Sequence, residues 1–387
     1  MKDNISKSIR SNFQVSYQYD VFFTKHLFSF DNLILKEFFH SQTEYQFNKK
    51  VLVVIDQGFL NHQPNLIESI HQYFASKIEA VQLVEEFIVL PGGEVSKNQI
   101  EDWEMVVSAI NKYGIDRHSY IMVIGGGAIL DMVGYAASVS HRGIRLIRIP
   151  TTVLSQNDSG VGVKNSINYY GKKNFLGTFA PPVAVFNDSS FLVSLEDRDW
   201  RSGMAEAIKV SLIKDKDFFN WIELNVSKLT KRELDAMEYL VFECARLHMD
   251  HIKNGDPFEF GSSRPLDFGH WFAHKLEYVS NFSIRHGEAV AIGMALDSIY
   301  SFLSGNLKET ELNRILNLLK GLGFTLNHPI LQLNGKTQLA IALREFQEHL
   351  GGKLTLLMLD GIGIPKEIYT IDHSLLETAF EQLVRHN

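Results

Sequence analysis

The chain is predicted to be an α/β protein in two parts: an N-terminal Rossmann-like domain with a parallel sheet over residues 1–188, and an all-helical domain over residues 189–387. Three observations predict this. Strand-like and helix-like segments alternate through the first half, which implies a parallel sheet with ligands at the carboxyl ends of its strands. An apolar strand runs into a glycine triplet, Gly125-Gly126-Gly127, that opens a helix. After Asp188 the spacing of apolar residues is helical.

Taken in order, "KVLVVID" (50–56) is a short β-branched run that suits a buried parallel strand and ends on Asp56. In "PNLIESIHQYFASK", Leu66, Ile67, Ile70 and Phe74 have helical spacing, and "EFIVLPGGE" is a strand ending at a turn. "QIEDWEMVVSAINKYG" is an amphipathic helix closed by Gly114 as its C-cap. "SYIMVIGGG" is the strand before the triplet, "AILDMVGYAASVSHRG" the helix after it, and "IRLIRIPTT" the next strand. Beyond Asp188, helices are expected in "RSGMAEAIKVSLIK", "KRELDAMEYLVFECARLHMDHIK", "GHWFAHKLEYVSN", "GEAVAIGMALDSIYSFLSG" and "ETELNRILNLLKGLG".

Bulk properties narrow the function. At 387 residues, with 45% apolar and 21% charged side chains, the chain supports two cored domains. A net charge of −7 without a dense Lys/Arg block argues against nucleic acid as a partner. The most apolar run, 120–139, is broken by glycines and Asp131, and no membrane span is expected. A single cysteine, Cys244, excludes an intrachain disulfide and fits a reducing, cytoplasmic compartment. The N-terminal stretch lacks the apolar core of a signal peptide.

Two distant segments carry metal-ligand chemistry. Glu206 and Lys209 lie three apart on one predicted helix face; His270 and His274 lie four apart on another, with His286 following. One carboxylate and two imidazoles suit zinc with a coordination position left open. Beside them, the glycine triplet allows backbone amides to approach a pyrophosphate at a helix N-terminus. A metal next to a nicotinamide suggests alcohol–ketone chemistry.

The motifs "LPGGEVSK", "GGGAILD", "RGIRLIRIPTT", "SQNDSGVGVKNSINYYGKKNFLGTF", "GMAEAIK", "GHWFAH" and "HGEAVAIGM" occur in one order that resembles the sugar phosphate cyclases of the 3-dehydroquinate synthase superfamily. The resemblance runs from about Asp56 to Gly363. It implies a dehydroquinate synthase-like fold, NAD+ as cofactor, and Zn2+, or Co2+ in its place, on Glu206, His270 and His286. It assigns the cofactor to Asp56, Glu94, Lys97, Gly125, Gly126, Gly127, Asp131, Thr151 and Thr152. Catalytic roles fall to Lys164, Lys209, His274, Asp158 and Asp267, and substrate binding to Arg142, Lys173, Asn174, His248, Arg264 and His349. Lys164, Lys173 and Asn174 are expected in glycine- or amide-rich loops. Arg142 resembles a residue that reaches the neighbouring subunit's active site, which implies a homodimer.

The departures from 3-dehydroquinate synthases matter equally. Their substrate carboxylate meets a Lys, an Arg and an Asn; here His248 holds the lysine position, Asp267 the asparagine position, and Ser263 or Arg264 the arginine position. Asp267 would repel a carboxylate but accept from a hydroxymethyl group. These features resemble the sedoheptulose 7-phosphate cyclases, most of all the 2-epi-5-epi-valiolone synthases. The implied reaction is transient oxidation at C5, β-elimination of phosphate, re-reduction and intramolecular aldol closure. A 3-dehydroquinate synthase, a metal-dependent NAD(P) alcohol dehydrogenase of similar fold, and a non-enzymatic cofactor-binding protein are the rivals.

Overall fold

The computed structural model of the chain describes residues 8–42, 48–254, 257–258 and 266–385, apart from the side chains of 333, 334 and 349. Seven strands form one sheet. These are β1 (Asp20–Thr24), β2 (Lys50–Asp56), β3 (Gln82–Leu83), β4 (Ile88–Leu90), β5 (Tyr120–Gly125), β6 (Arg145–Pro150) and β9 (Ala184–Asp188). Their order is β1-β9-β6-β5-β2-β3, with β4 also on β2, and every pairing is parallel. Period-two alternation explains why β2 is apolar throughout: Val51, Val53 and Ile55 join one core cluster while Leu52 and Val54 join the cluster on the other face.

Gly114 ends the helix Ile100–Tyr113 in the left-handed conformation (φ 58°), as expected of a C-cap glycine. Edge strand β1 and strand β9 were not among the expected strands. Between β6 and β9 lies an antiparallel hairpin, β7 (Lys164–Tyr169) and β8 (Lys172–Phe179). The segment expected as loops is therefore this hairpin, so Lys164, Lys173 and Asn174 sit on strands.

Past Asp188 the chain is helical, with one addition to the expected pattern: an antiparallel ribbon, β10 (Leu356–Gly361) and β11 (Ile364–Ile368). β10 brings Leu356, Leu357, Met358 and Leu359 into the helical core, which explains why the second half needs a strand at all. The helix His286–Leu303 runs through the centre of that core, buried along almost its whole length. No helix among the described residues is long and apolar enough to cross a membrane.

The parallel register sets where a site can form. Ile55 pairs with Ile124, and Gly125 with Pro150, so Asp56, the glycine triplet and Thr151-Thr152 emerge together at the carboxyl ends of β2, β5 and β6.

Candidate active site

Glu206, on the helix Met204–Lys214, meets two histidines that are each the first residue of a helix, His270 (His270–Val279) and His286 (His286–Leu303). Their ligand atoms converge: Glu206 Oε1 lies 3.5 Å from His270 Nε2 and 3.6 Å from His286 Nε2. Glu206 Oε1 is buried without a hydrogen-bond donor among the described residues. Zinc bonds of about 2.0–2.2 Å at tetrahedral angles place neighbouring ligand atoms roughly 3.4 Å apart. Both carboxylate–imidazole separations match that spacing, all three ligand atoms lie within 4.8 Å of one another, and the residues fit zinc.

The surroundings favour positive charge at that point. Burial alone would raise the Glu206 carboxyl, but Lys209 and then His270 hold it well below the ordinary carboxylate range. Burial works against a charged His286 ring, yet Glu277 and Glu206 push its pKa up to about 9. His270 Nδ1 lies 3.2 Å from the Phe268 carbonyl, which fixes Nδ1 as the donor and leaves the Nε2 lone pair facing Glu206. His286 Nδ1 stands 3.2 Å from Glu277 Oε2, within ion-pair distance, although neither atom has a hydrogen-bond partner among the described residues.

Glycines set the spacing of these helices. A Cβ on Gly287 would lie 1.9 Å from the Ser202 carbonyl oxygen, and one on Gly293 would lie 1.9 Å from that of Gly269. A Cβ on Gly203 would meet the Leu154 backbone nitrogen at 2.4 Å. Backbone thus approaches backbone beside each of the three ligands.

Lys209 is buried on the same helix face as Glu206 and forms an ion pair with it. Against its burial, Glu206, Asp158 and Asp267 hold its pKa above the ordinary lysine value. Asp158 sits in a π-helical turn, Ser155–Ser159, and pairs with His248 Nδ1 at 2.9 Å. His274 lies one turn along from His270, its ring centroid 5.6 Å from that of His270 and 6.1 Å from that of His286. Lys173 Nζ is 3.0 Å from Glu277 Oε1 and 3.6 Å from Glu94 Oε1, so the hairpin is tied to the helix that carries His270.

On the sheet side, Lys97 is buried rather than solvated. Its Nζ donates to Asp131 Oδ2 (2.8 Å), Ser166 Oγ (3.0 Å) and Asn174 Oδ1 (2.5 Å). Asn174, at φ 55°, also receives the Ser166 hydroxyl on the same oxygen. Asp56 Oδ1 caps the helix Gln57–His62, accepting from the Gly58 and Phe59 amides. Thr151 N–H donates to the Gly125 carbonyl (3.0 Å), and the Thr152 hydroxyl pairs with Ser155 Oγ (2.8 Å). Two of the triplet glycines answer to protein packing. A Cβ on Gly125 would strike Ile129 Cγ2 at 2.4 Å, and one on Gly127 would strike Ser159 Oγ at 2.5 Å. Beyond Gly126 the nearest atom is a methyl at 3.4 Å, and no side chain caps the helix Gly127–Val139 that follows. That open N-terminus is suited to a phosphate.

Other expected residues are more dispersed. Lys164 begins β7 with its side chain exposed, and Arg142 is exposed on a turn where His141, Arg142 and Gly143 all have positive φ. Ser263 and Arg264 lie outside the described residues, as does the side chain of His349 at the end of the helix Pro329–His349. The sequence reading missed Glu277 and Asp297. Glu277 was available to it, since His270, His274 and Glu277 follow i, i+4, i+7 spacing on one helix face.

Known proteins resemble this chain along most of its length. The family model for the 3-dehydroquinate synthase N-terminal domain matches residues 87–202, and that for the C-terminal domain matches residues 203–345. A 3-dehydroquinate synthase of Shewanella frigidimarina (strain NCIMB 400) is 31% identical over 334 residues, 86% of this chain and 90% of that protein. One from Dictyoglomus thermophilum is 33% identical over 342 residues, 88% of this chain and 88% of that protein. Among solved structures, the 2-epi-5-epi-valiolone synthase ValA from Streptomyces hygroscopicus subsp. jinggangensis 5008, with NAD+ and Zn2+ bound, superimposes with a TM-score of 0.86 at 28% identity. That match covers 97% of this chain and 99% of ValA.

Proposed function

Because the chain belongs to the 3-dehydroquinate synthase superfamily of sugar phosphate cyclases, we propose that it is an NAD+- and Zn2+-dependent enzyme that cyclises sedoheptulose 7-phosphate to a C7 cyclitol of the 2-epi-5-epi-valiolone type, releasing phosphate. The observation that carries the choice of substrate is the acidic ring around Lys209. Glu206 is taken up by the metal in this reading, but Asp158 and Asp267 also act on that ammonium group, and His248 is engaged by Asp158. Hydroxyl groups suit such a ring as donors to its carboxylates, whereas a substrate carboxylate would be repelled.

In this reading Glu206, His270 and His286 hold the zinc, and the uncapped helix N-terminus at Gly126 with Asp56, Glu94, Lys97, Asp131, Thr151 and Thr152 holds the dinucleotide. When bound, the cofactors supply a reversible hydride acceptor and a Lewis acid for the substrate oxygen. The chain's own task is positioning and charge. Lys209 holds positive charge beside the reacting hydroxyls, and His274, Lys164 and Lys173 line the phosphate end. Asp267 and His248 orient the neutral end of the sugar. The active unit is a homodimer with Arg142 at the partner's site, and the two domains divide at Asp188, where the last sheet strand ends.

The reading is tested by phosphate release with NAD+ and Zn2+ from sedoheptulose 7-phosphate and from 3-deoxy-arabino-heptulosonate 7-phosphate in parallel. Release from the first substrate alone, lost on chelation and restored by Zn2+, is expected. Release from the second alone makes this a 3-dehydroquinate synthase and overturns the substrate assignment. Lasting NADH absorbance with either sugar would instead indicate a dehydrogenase.

A further inference from the structure

We infer that Asp297 is a positioning residue for the metal site, holding His270 at ligating distance from Glu206 by gripping the backbone and side chain on either side of it. The inference rests on the reading of Glu206, His270 and His286 as metal ligands. Asp297 lies wholly inside the helical core, on the helix that begins with His286, eleven residues and three turns along. Its Oδ2 accepts from the Gly269 N–H (2.8 Å) and its Oδ1 from Trp271 Nε1 (2.9 Å). These donors belong to the two residues that flank His270 in the chain.

The grip has a third point. Gly269, at φ 78°, presses its carbonyl against Gly293 on the same long helix, and neither glycine has room for a Cβ there. The first residue of the His270 helix is therefore fixed to the helix of His286 by two hydrogen bonds and one backbone contact. With Nδ1 directed at the Phe268 carbonyl, the Nε2 direction follows from the backbone. A carboxylate is an expensive way to bond two neutral donors: burial pushes the Asp297 carboxyl up to about 7, against the bonds from Trp271 and Gly269. An apolar side chain would fill the core without that penalty. Two divergent acceptor oxygens are what an apolar residue lacks, and both are spent on the neighbours of one metal ligand.

The test compares the full-length protein with Asp297→Asn and Trp271→Phe. Asn leaves one acceptor oxygen for two donors, and Phe removes the indole donor while keeping an aromatic ring. Zinc affinity is measured by chelator competition, the ligand field by the visible spectrum of the Co2+-substituted protein, and the melting temperature on metal-stripped protein. A positioning role predicts zinc binding weakened by about 10- to 100-fold and an altered cobalt spectrum in Asp297→Asn, with a smaller change of the same kind in Trp271→Phe. A folded Asp297→Asn that melts at lower temperature but keeps the parental zinc affinity and cobalt spectrum has lost only core stability, and overturns the inference. Should Asp297→Asn not fold, Trp271→Phe decides: parental affinity and spectrum in that variant also overturn it. If the unsubstituted protein takes up neither Zn2+ nor Co2+, the metal reading itself has failed.

Discussion

At the metal corner, backbone touches backbone: Gly203 against Leu154, Gly287 against Ser202, and Gly293 against Gly269. At the hairpin wall, Lys97, Lys173 and Asn174 are held by other side chains, namely Asp131, Ser166, Glu94 and Glu277. The first arrangement cannot relax by rotating a side chain, whereas the second can. A metal site needs fixed ligand separations, and backbone contacts supply them. In the proposed function this wall faces both the dinucleotide, through Lys97 and Asp131, and the sugar phosphate, through Lys173, and groups that can re-pair suit a surface that binds and releases its ligands.

This difference can be broken most forcefully at Gly287. Gly287→Ala drives a methyl into the Ser202 carbonyl and parts the His286 helix from the end of the helix Asp197–Ser202, which leads directly into the Glu206 helix. Loss of about 1–3 kcal/mol of stability is expected, with zinc binding weakened in the same variant. Thermal denaturation of stripped protein and zinc titration check both, and an unchanged zinc affinity would show that the corner tolerates movement.

Lys97→Met probes the other wall. It removes a cation from Asp131 and donors from Ser166 and Asn174, for an expected loss of about 1–3 kcal/mol. NAD+ binding, followed by titration calorimetry, should weaken while zinc affinity stays at the parental value. Coupled loss of both ligands would mean that the two walls act as one unit.

The smallest effect on stability is expected at Gly126, the triplet glycine with space beyond it. Gly126→Ala should change stability by no more than about 0.5 kcal/mol. Its added methyl stands where a pyrophosphate would approach, so NAD+ affinity should fall nonetheless. Parental NAD+ affinity in that variant would remove the triplet from the cofactor site.

Much of the framework was legible before the structure. The uninterrupted apolar runs of β2 and β5 declare strands buried on both faces, and Gly114 declares a helix end. The i, i+4 pair His270 and His274, with Glu206 and Lys209 at i, i+3, declares which side chains share a face. The hairpin 164–179 was harder to read, because its polar, glycine-containing sequence has no clear alternation. β10 was missed because a short apolar run in a helical context has no period of its own to distinguish it.

The sequence by itself determined which side chains could serve as ligands and which of them share a helical face, because these depend on residue identity and short-range spacing. Only the tertiary structure decided that Glu206, His270 and His286 stand about one coordination sphere apart, that Lys97 is buried, and that Asp297 and Glu277 stand behind the histidines. Those facts depend on contacts between residues far apart in the chain, set by where glycines let helices approach, and no local pattern encodes such a distance.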